Sequence, residues 1–556
     1  MARTVSIGAQ GFADLRERGY FFVDKSPFVR DWWKSGDAVT LICRPRRFGK
    51  TLNLSMVECF FSTRYENRGD LFEGLDVWND GTMRAEQGQW PVVLVSFAGV
   101  KAASFDEMRA DVARAIAQVR RDLWPDDSSL GALPSTMHDP VSAIDERMDG
   151  ATSKAALNTI CEALFRQTGR RAIVLLDEYD TPLQEAWLSG YWDQASEYMR
   201  GLFNLTFKTN AYLERGLMTG VTRVAHESIF SDLNNLNVVT SASDEYATAF
   251  GFTQTEVDES LAQYGLEESR AEVERWYDGF TFGGRDHIYN PWSITNYLAK
   301  RRLAPYWANT SANSLVSSLV RRADADFKSD FETLLQGGTV TRRVSEQIVF
   351  PTLGRSPSSA WSLLAASGYL RVVPAGDLSE LTITNHETML AFDDMVDEWF
   401  EGSETQYNGF VRALLSGDVR AMNAYLVEVA LDTFSSFDVG TRPSGAQPER
   451  FYHGFVLGLL VELRGRYRVR SNRESGFGRY DVALVPTDPS RDPGIVLEFK
   501  VLDAYSGEKS LEDAVAAAHA QIDEKRYAQE LVSAGVPRDR VRTYGIAFEG
   551  KRVLVG

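Results

Sequence analysis

A chain of 556 residues exceeds one ordinary domain and has room for about three. Hydrophobic residues at 44% and charged residues at 25% exclude a disordered chain, and a net charge of −17 excludes nucleic-acid binding by bulk electrostatics. Any nucleic-acid partner therefore needs a local basic surface.

Cys43, Cys59 and Cys161 form no C-x-x-C pair, so neither a disulfide framework nor a cysteine zinc site is supported. Met1 to Gly11 lacks a basic segment followed by an apolar one, and no run approaches the roughly 18 apolar residues of a membrane span. A soluble cytoplasmic protein with no membrane partner is expected.

The first third alternates apolar runs with longer helical stretches, the pattern of a parallel α/β sheet. Val39 to Cys43, Val92 to Phe97, Ala172 to Leu176 and Gly216 to Gly220 are the predicted strands. The first leads into Arg44-Pro45-Arg46-Arg47-Phe48-Gly49-Lys50-Thr51. A phosphate cradle needs backbone N–H groups at a strand-to-helix turn, a lysine for the β and γ phosphates and a hydroxyl for Mg²⁺. This run supplies all three, although Arg44 stands where the G-x-x-x-x-G-K-[ST] pattern has its first glycine.

A chance G-K-T at a helix start is the bland alternative, and the third strand argues against it. Ile173 to Leu176 ends in Asp177 and Glu178, which places one carboxylate to hold the Mg²⁺ shell and the next to polarise the attacking water. Leu217 to Arg223 ends a further strand where a γ-phosphate sensor would sit, so Thr219 and Arg223 are sensor candidates or ordinary cap and surface residues. ATP and Mg²⁺ are the expected ligands.

Tyr20-Phe21-Phe22-Val23-Asp24-Lys25-Ser26, RPRRFGKT, LLDEYD, TGVTRVAHESIFSDLNN, WYDGF and YNPWS occur in that order. Together they resemble the bacterial AAA-ATPase-like family over about the first three hundred residues. An arginine-rich P-loop without its first glycine is part of the likeness, which implies that family's fold and ATP binding.

Residues 1–250 are thus expected to form the ATPase core and 251–304 a helical lid punctuated by aromatic motifs. Residues 305–441 read as mostly helical, with a small β-wing at Gly368 to Val373 and Leu381 to Ile383. After the breaker run Thr441-Arg442-Pro443-Ser444-Gly445 come a helix and three extended runs, Tyr467 to Ser471, Arg479 to Val485 and Gly494 to Lys500. A second α/β domain is expected over 442–556.

In the last of these runs Glu498 and Lys500 share one face of a strand. An adjacent strand would bring Asp481 beside them, and two carboxylates can hold a divalent metal while the lysine stabilises developing charge. That spacing is cheap, since Glu549-Gly550-Lys551 repeats it without a partner aspartate.

FYHGFVLGLLVEL, SNRESGFGRYD, IVLEFK and Ala520-Gln521-Ile522-Asp523-Glu524-Lys525-Arg526-Tyr527 resemble the PD-(D/E)XK nuclease superfamily. The resemblance implies a restriction-endonuclease-like α/β fold with Mg²⁺ or Mn²⁺ at its site. Asp481, Glu498 and Lys500 match the catalytic positions, Gln521 matches a helix residue over the site, and Glu449 and His453 are first-helix candidates.

Arg464, Arg466, Arg468 and Arg470 alternate, and Thr441 to Tyr480 holds eight arginines against three glutamates. An extended stretch would put these guanidinium groups on one face, as a nucleic-acid surface or as edge-strand protection. The leading expectation is an ATP-regulated or ATP-driven nuclease acting on nucleic acid, with DNA favoured over RNA. The rival is a nucleotide-dependent switch whose nuclease fold only binds nucleic acid or protein. The sequence leaves homo-oligomerisation open.

Overall fold

The first sheet is built from strands that read as near-continuous apolar runs because both of their faces are covered. The computed structural model describes residues 3–224, 233–307, 325–335, 337–348, 357–392, 407–433, 466–471, 482–502, 510–549 and 552–556, with isolated residues and pairs between them. Strands β1 (Val39–Cys43), β2 (Val92–Ser96), β3 (Ala172–Asp177), β4 (Leu213–Gly220) and β5 (Leu236–Val239) lie in the order β2-β3-β4-β1-β5, all pairs parallel. Every residue of β1 and β3 is buried. The order puts β4 between β1 and β3, so the carboxyl ends of three strands open side by side.

Helix α1 (Lys50–Phe61) leaves β1 through Gly49, whose φ of +80° is the left-handed conformation that favours glycine. Two long helices follow, α2 (Phe105–Leu123), capped by Ser104 on the Glu107 N–H, and α3 (Gly150–Thr168), capped by Asp149 on the Thr152 N–H. An aromatic-rich core including Trp32, Phe48, Phe60, Phe61 and Phe72 fills the side of the sheet that α1 covers.

The stretch expected to be a helical lid is mixed. Helix α4 (Gln254–Tyr264) starts from a capping box in which Thr253 and Glu256 satisfy each other's backbone N–H groups. Helices α5 (Arg270–Tyr277) and α6 (Pro291–Lys300) enclose a three-stranded antiparallel sheet of β6 (Phe252–Thr253), β7 (Phe280–Phe282) and β8 (Arg285–Tyr289), ordered β6-β8-β7. These strands run only two to five residues, too short to stand out in the sequence from the helices around them.

The wing is present. Helix α7 (Pro357–Ala366) precedes β10 (Leu370–Ala375) and β11 (Leu378–Ile383), an antiparallel pair that β9 (Val340–Arg342) extends at the β11 edge. Gly368 packs against Pro45 and Phe280, and Gly279 meets the Thr384 carbonyl so closely that no side chain fits. The chain divides into two compact units, Met1–Leu319 with Thr339–Ala391, and Val320–Gly338 with Phe392–Gly556. The stretch 305–441 is therefore shared between the units, and the wing belongs with the parallel sheet.

The second unit centres on a mixed sheet of β12 (Tyr467–Ser471), β13 (Val482–Pro486), β14 (Gly494–Val501), β15 (Val541–Glu549) and β16 (Arg552–Val555), paired in chain order. Only β14 and β15 pair in parallel, and helix α8 (Leu511–Glu524) connects them and packs across both. Its core draws on Leu414, Leu426, Leu484, Leu497 and Phe548. No helix among the described residues is long and apolar enough to cross a membrane.

Candidate nucleotide site and candidate metal centre

The P-loop, the end of β3 and the end of β4 converge on Asp177. Its two carboxylate oxygens accept from the Thr219 hydroxyl at 2.5 Å and the Thr51 hydroxyl at 2.8 Å. Burial pushes the Asp177 carboxyl up, and the two hydroxyls oppose that shift. Lys50 is buried beside it, its ammonium donating to the carbonyls of Arg44 at 2.9 Å and Pro45 at 2.8 Å. Burial lowers the Lys50 pKa, against the pull of Glu178, Asp177 and Asp180.

Arg47 and Gly49 both adopt positive φ, +66° and +80°, within the loop. Such alternation turns successive N–H groups toward one concavity, an anion nest. Glu178, next after β3, has φ +52°, a conformation that costs a non-glycine residue of order 1–3 kcal/mol and that clusters at functional sites. Its carboxylate accepts from Thr181 Oγ1 at 3.0 Å. Oxygen donors at Thr51 and Asp177 beside a nest and a lysine fit a Mg²⁺-bound nucleoside triphosphate.

The sequence-identified side chains divide by role. Phe48 points into the core, edge-on to Phe280 and Phe282, so it anchors the loop rather than lining it. Pro45 is buried against Gly368. Arg46 reaches Gln184 at 3.4 Å, and the Arg47 guanidinium lies 4.4 Å over the Trp292 ring. Arg223 lies 3.9 Å from Glu346 and its strand residues pair with Gln347 and Ile348, so the structure brings Thr219 but not Arg223 onto Asp177.

Arg44 explains the missing glycine. Its guanidinium is buried, donates to the carbonyls of Cys43 at 3.0 Å and Thr240 at 2.5 Å, and lies 4.6 Å over Phe282. Burial pushes its pKa down to about 10. The residue fastens the root of the loop to its surroundings, a role that needs length and many donors instead of glycine's freedom.

Sequence reasoning assigned no role to Asp180 or Tyr179. Asp180 is buried and accepts from Val221 N, Thr222 N, Thr222 Oγ1 and Gln184 Nε2, and burial pushes its carboxyl up. Tyr179 donates to the Thr222 carbonyl at 2.7 Å and accepts from Val224 N at 3.1 Å. The LLDEYD and TGVTRV runs are thereby one hydrogen-bonded body. Their motif status was the available signal. Glu274, Asp278 and His287 also come within reach of one another, but the exposed His287 forms an ion pair with Asp278, which accounts for the grouping.

In the second unit Glu498 and Lys500 leave the same face of β14, as strand alternation requires. Gln521 of α8 joins them, donating through Nε2 to Glu498 Oε1 and accepting from Lys500 Nζ at 2.7 Å. Glu498 is buried to 2% exposure, a setting in which a carboxylate needs a partner. Asp481, Glu449, His453, Arg464 and Lys551 lie outside the described residues. Asp481 immediately precedes Val482, which pairs with Leu497.

Two of the three described arginines of the stripe are engaged within their own unit. Arg466 makes a two-point contact with the buried Asp492, at 3.0 and 2.6 Å, and Arg470 pairs with Glu530 at 2.5 Å. Arg468 is exposed on β12.

A parallel sheet with a lysine-bearing nest beside an aspartate and glutamate defines an α/β unit of the P-loop kind, followed by a mixed α/β unit bearing a glutamate–glutamine–lysine cluster. Residues 6–230 match the family described as Predicted AAA-ATPase, and residues 447–556 match the PD-(D/E)XK nuclease superfamily. The chain thus carries a domain of each. It is also 27% identical over 325 residues to an uncharacterized protein in vnfD 5'region of Azotobacter chroococcum mcd 1, spanning 58% of this chain and 57% of that relative.

Proposed function

We propose that this protein binds and hydrolyses ATP with Mg²⁺ in its first unit and uses nucleotide state to control metal-dependent phosphodiester cleavage in its second. The observation that carries the reading is the meeting of Thr51 and Thr219 on Asp177, with Lys50 and Glu178 alongside. In that arrangement Lys50 would exchange its two loop carbonyls for phosphate oxygens, Thr51 and Asp177 would hold Mg²⁺, and Glu178 would take the proton of the attacking water.

In the second unit, Glu498 and Asp481 would supply hard oxygen ligands, and a bound divalent ion would lower the pKa of its water and offset charge on the phosphate. Gln521 holds Glu498 and Lys500 in register, so Lys500 is aimed at that charge before substrate arrives. Nucleic acid, DNA before RNA, is the proposed substrate. The self-paired Arg466 and Arg470 favour a second reading, a nucleotide switch whose nuclease fold only binds a partner.

Nuclease assays on single- and double-stranded DNA and RNA, with Mg²⁺ or Mn²⁺ and with or without ATP, separate the two. Cleavage that needs metal, responds to ATP and disappears in Glu498→Ala is expected. No cleavage of any substrate by a wild-type protein that hydrolyses ATP would select the switch.

A further inference from the structure

Arg46 sits within the P-loop, and its carbonyl is held from outside the loop. It accepts from Asn290 Nδ2 at 3.3 Å and from Trp307 Nε1 at 3.1 Å. A trans peptide is planar, with C=O and N–H pointing opposite ways. Fixing the Arg46 carbonyl therefore aims the Arg47 N–H away from Asn290 and Trp307, and Arg47 continues the turn with φ +66°. One peptide of the anion nest is oriented by two side chains from far downstream.

Those two side chains share a single support. Glu387 Oε1 accepts from the Trp307 backbone N–H at 2.6 Å, and Oε2 accepts from Ser293 Oγ at 2.7 Å. Ser293 and Trp292 supply the N–H groups that the Asn290 side chain caps, at 3.4 and 2.9 Å, so Glu387 grips the same helix start that presents Asn290. The carboxylate is 1% exposed, and no Lys, Arg or His pairs with it among the described residues. A buried carboxylate without a cation is costly, and here its neighbours are neutral donors, the Ser293 hydroxyl and the Trp307 N–H, which both lead to Arg46, with the adjacent Tyr306 N–H beside them.

We propose that Glu387, carried by the wing segment, is a positioning residue for the phosphate cradle: through Trp307 and the Ser293–Asn290 helix start it fixes the Arg46–Arg47 peptide for nucleotide binding. The inference rests on the ATP-binding reading of the P-loop. It makes the segment after β11 part of the nucleotide site. Glu387 touches no phosphate itself, so its effect falls on binding, while hydrolysis chemistry stays with Asp177 and Glu178.

The test uses the full chain with Mg²⁺ and a non-hydrolysable ATP analogue, followed by ATP turnover. Glu387→Ala is expected to weaken analogue binding and raise KM about tenfold or more, with kcat changed less than about threefold. Glu387→Gln should recover most of the affinity, because its amide oxygen can face the Trp307 N–H and its NH₂ can donate to Ser293 Oγ. Glu380→Ala, an exposed glutamate on β11, controls for loss of charge in the same segment and should bind like wild type.

Unchanged affinity and KM in a folded Glu387→Ala would overturn the proposal, as would a Glu387→Gln no better than alanine. If Glu387→Ala loses its cooperative melt, Trp307→Phe decides: it removes the indole N–H to Arg46 while keeping an aromatic ring against Phe280 and Tyr369, and wild-type affinity in that folded variant would also overturn it. A wild type that binds no analogue would instead remove the ATP reading, and this inference with it.

Discussion

Asp177 and Lys50 are buried groups whose partners are the protein's own hydroxyls and carbonyls, so each residue's role can be separated by substitution. Lys50→Ala should abolish ATP hydrolysis and leave the thermal melt within about 2 °C, because the ammonium bonds loop carbonyls rather than the core and is proposed to exchange them for phosphate. Glu178→Gln should keep nucleotide affinity within about threefold while slowing turnover by about a hundredfold or more, since the amide keeps the shape but cannot accept the proton. Filter binding and phosphate release measure the two. Glu387 offers a pH test at the same scale. Burial pushes its carboxyl up to about 7, above the roughly 4.3 of the unfolded chain, so the folded protein binds the extra proton between those values. Stability from this group is therefore full below about pH 4 and falls as pH rises toward 7, by on the order of 3 kcal/mol at most. The nearby Tyr277 and Tyr306 have raised pKa values and stay neutral throughout that window. Glu387→Gln should remove this limb, so the difference in melting temperature between variant and wild type should shift in the variant's favour from pH 5 to pH 7.5. A difference that is flat with pH would remove Glu387 as the titrating group.

At the scale of elements, legibility followed pattern length. β1 and β3 were readable because fully buried parallel strands leave apolar runs, β4 only in its buried part from Gly216 to Gly220, and Gly49-Lys50-Thr51 with Asp177 was readable because the chemistry fixes spacing after a strand. β5 and β6 to β8 were not, being short strands, and β5 and β6 pair with partners far along the chain. Arg44 was legible only as a departure from the glycine pattern that belonged to the family likeness, because its partners, Thr240 and Phe282, lie far along the chain. Trp307 carried no local signal at all. Gln521 was readable only by resemblance, and the helix α8 does bring it to Glu498 and Lys500. The arginine run was legible as an alternating pattern, but its partners Asp492 and Glu530 were not. Because two of its members are already paired, changing Arg466, Arg468 and Arg470 together to Ala should weaken DNA binding only about as much as Arg468→Ala alone, with a salt-dependence slope reduced by about one. A slope reduced by three would mean that DNA displaces Asp492 and Glu530.

At the scale of the whole molecule, two compact units with separate cores are expected to fail separately. Asp481→Ala, Glu498→Ala and Lys500→Ala should each remove metal-dependent cleavage and retain at least about half of the wild-type ATP hydrolysis, measured by phosphate release. Lys551→Ala, in the decoy pair, should leave cleavage intact. Loss of ATP hydrolysis in all three site variants would show that the second unit's site feeds back on the first.

The anchoring of the Arg46 carbonyl also has a bearing on biosynthesis. The P-loop leaves the ribosome early, yet Asn290, Trp307 and Glu387 are made much later. At roughly 5–20 residues per second, synthesis of the intervening stretch takes on the order of tens of seconds. Through that interval the nascent chain holds the glycine, lysine and threonine of the loop without the groups that hold its central peptide. Ribosome-bound chains stalled just after Lys300 should therefore capture an immobilised ATP analogue poorly, and chains stalled some forty residues or more past Ala391 should capture it well, so that nucleotide engagement marks completion of the first unit rather than its beginning.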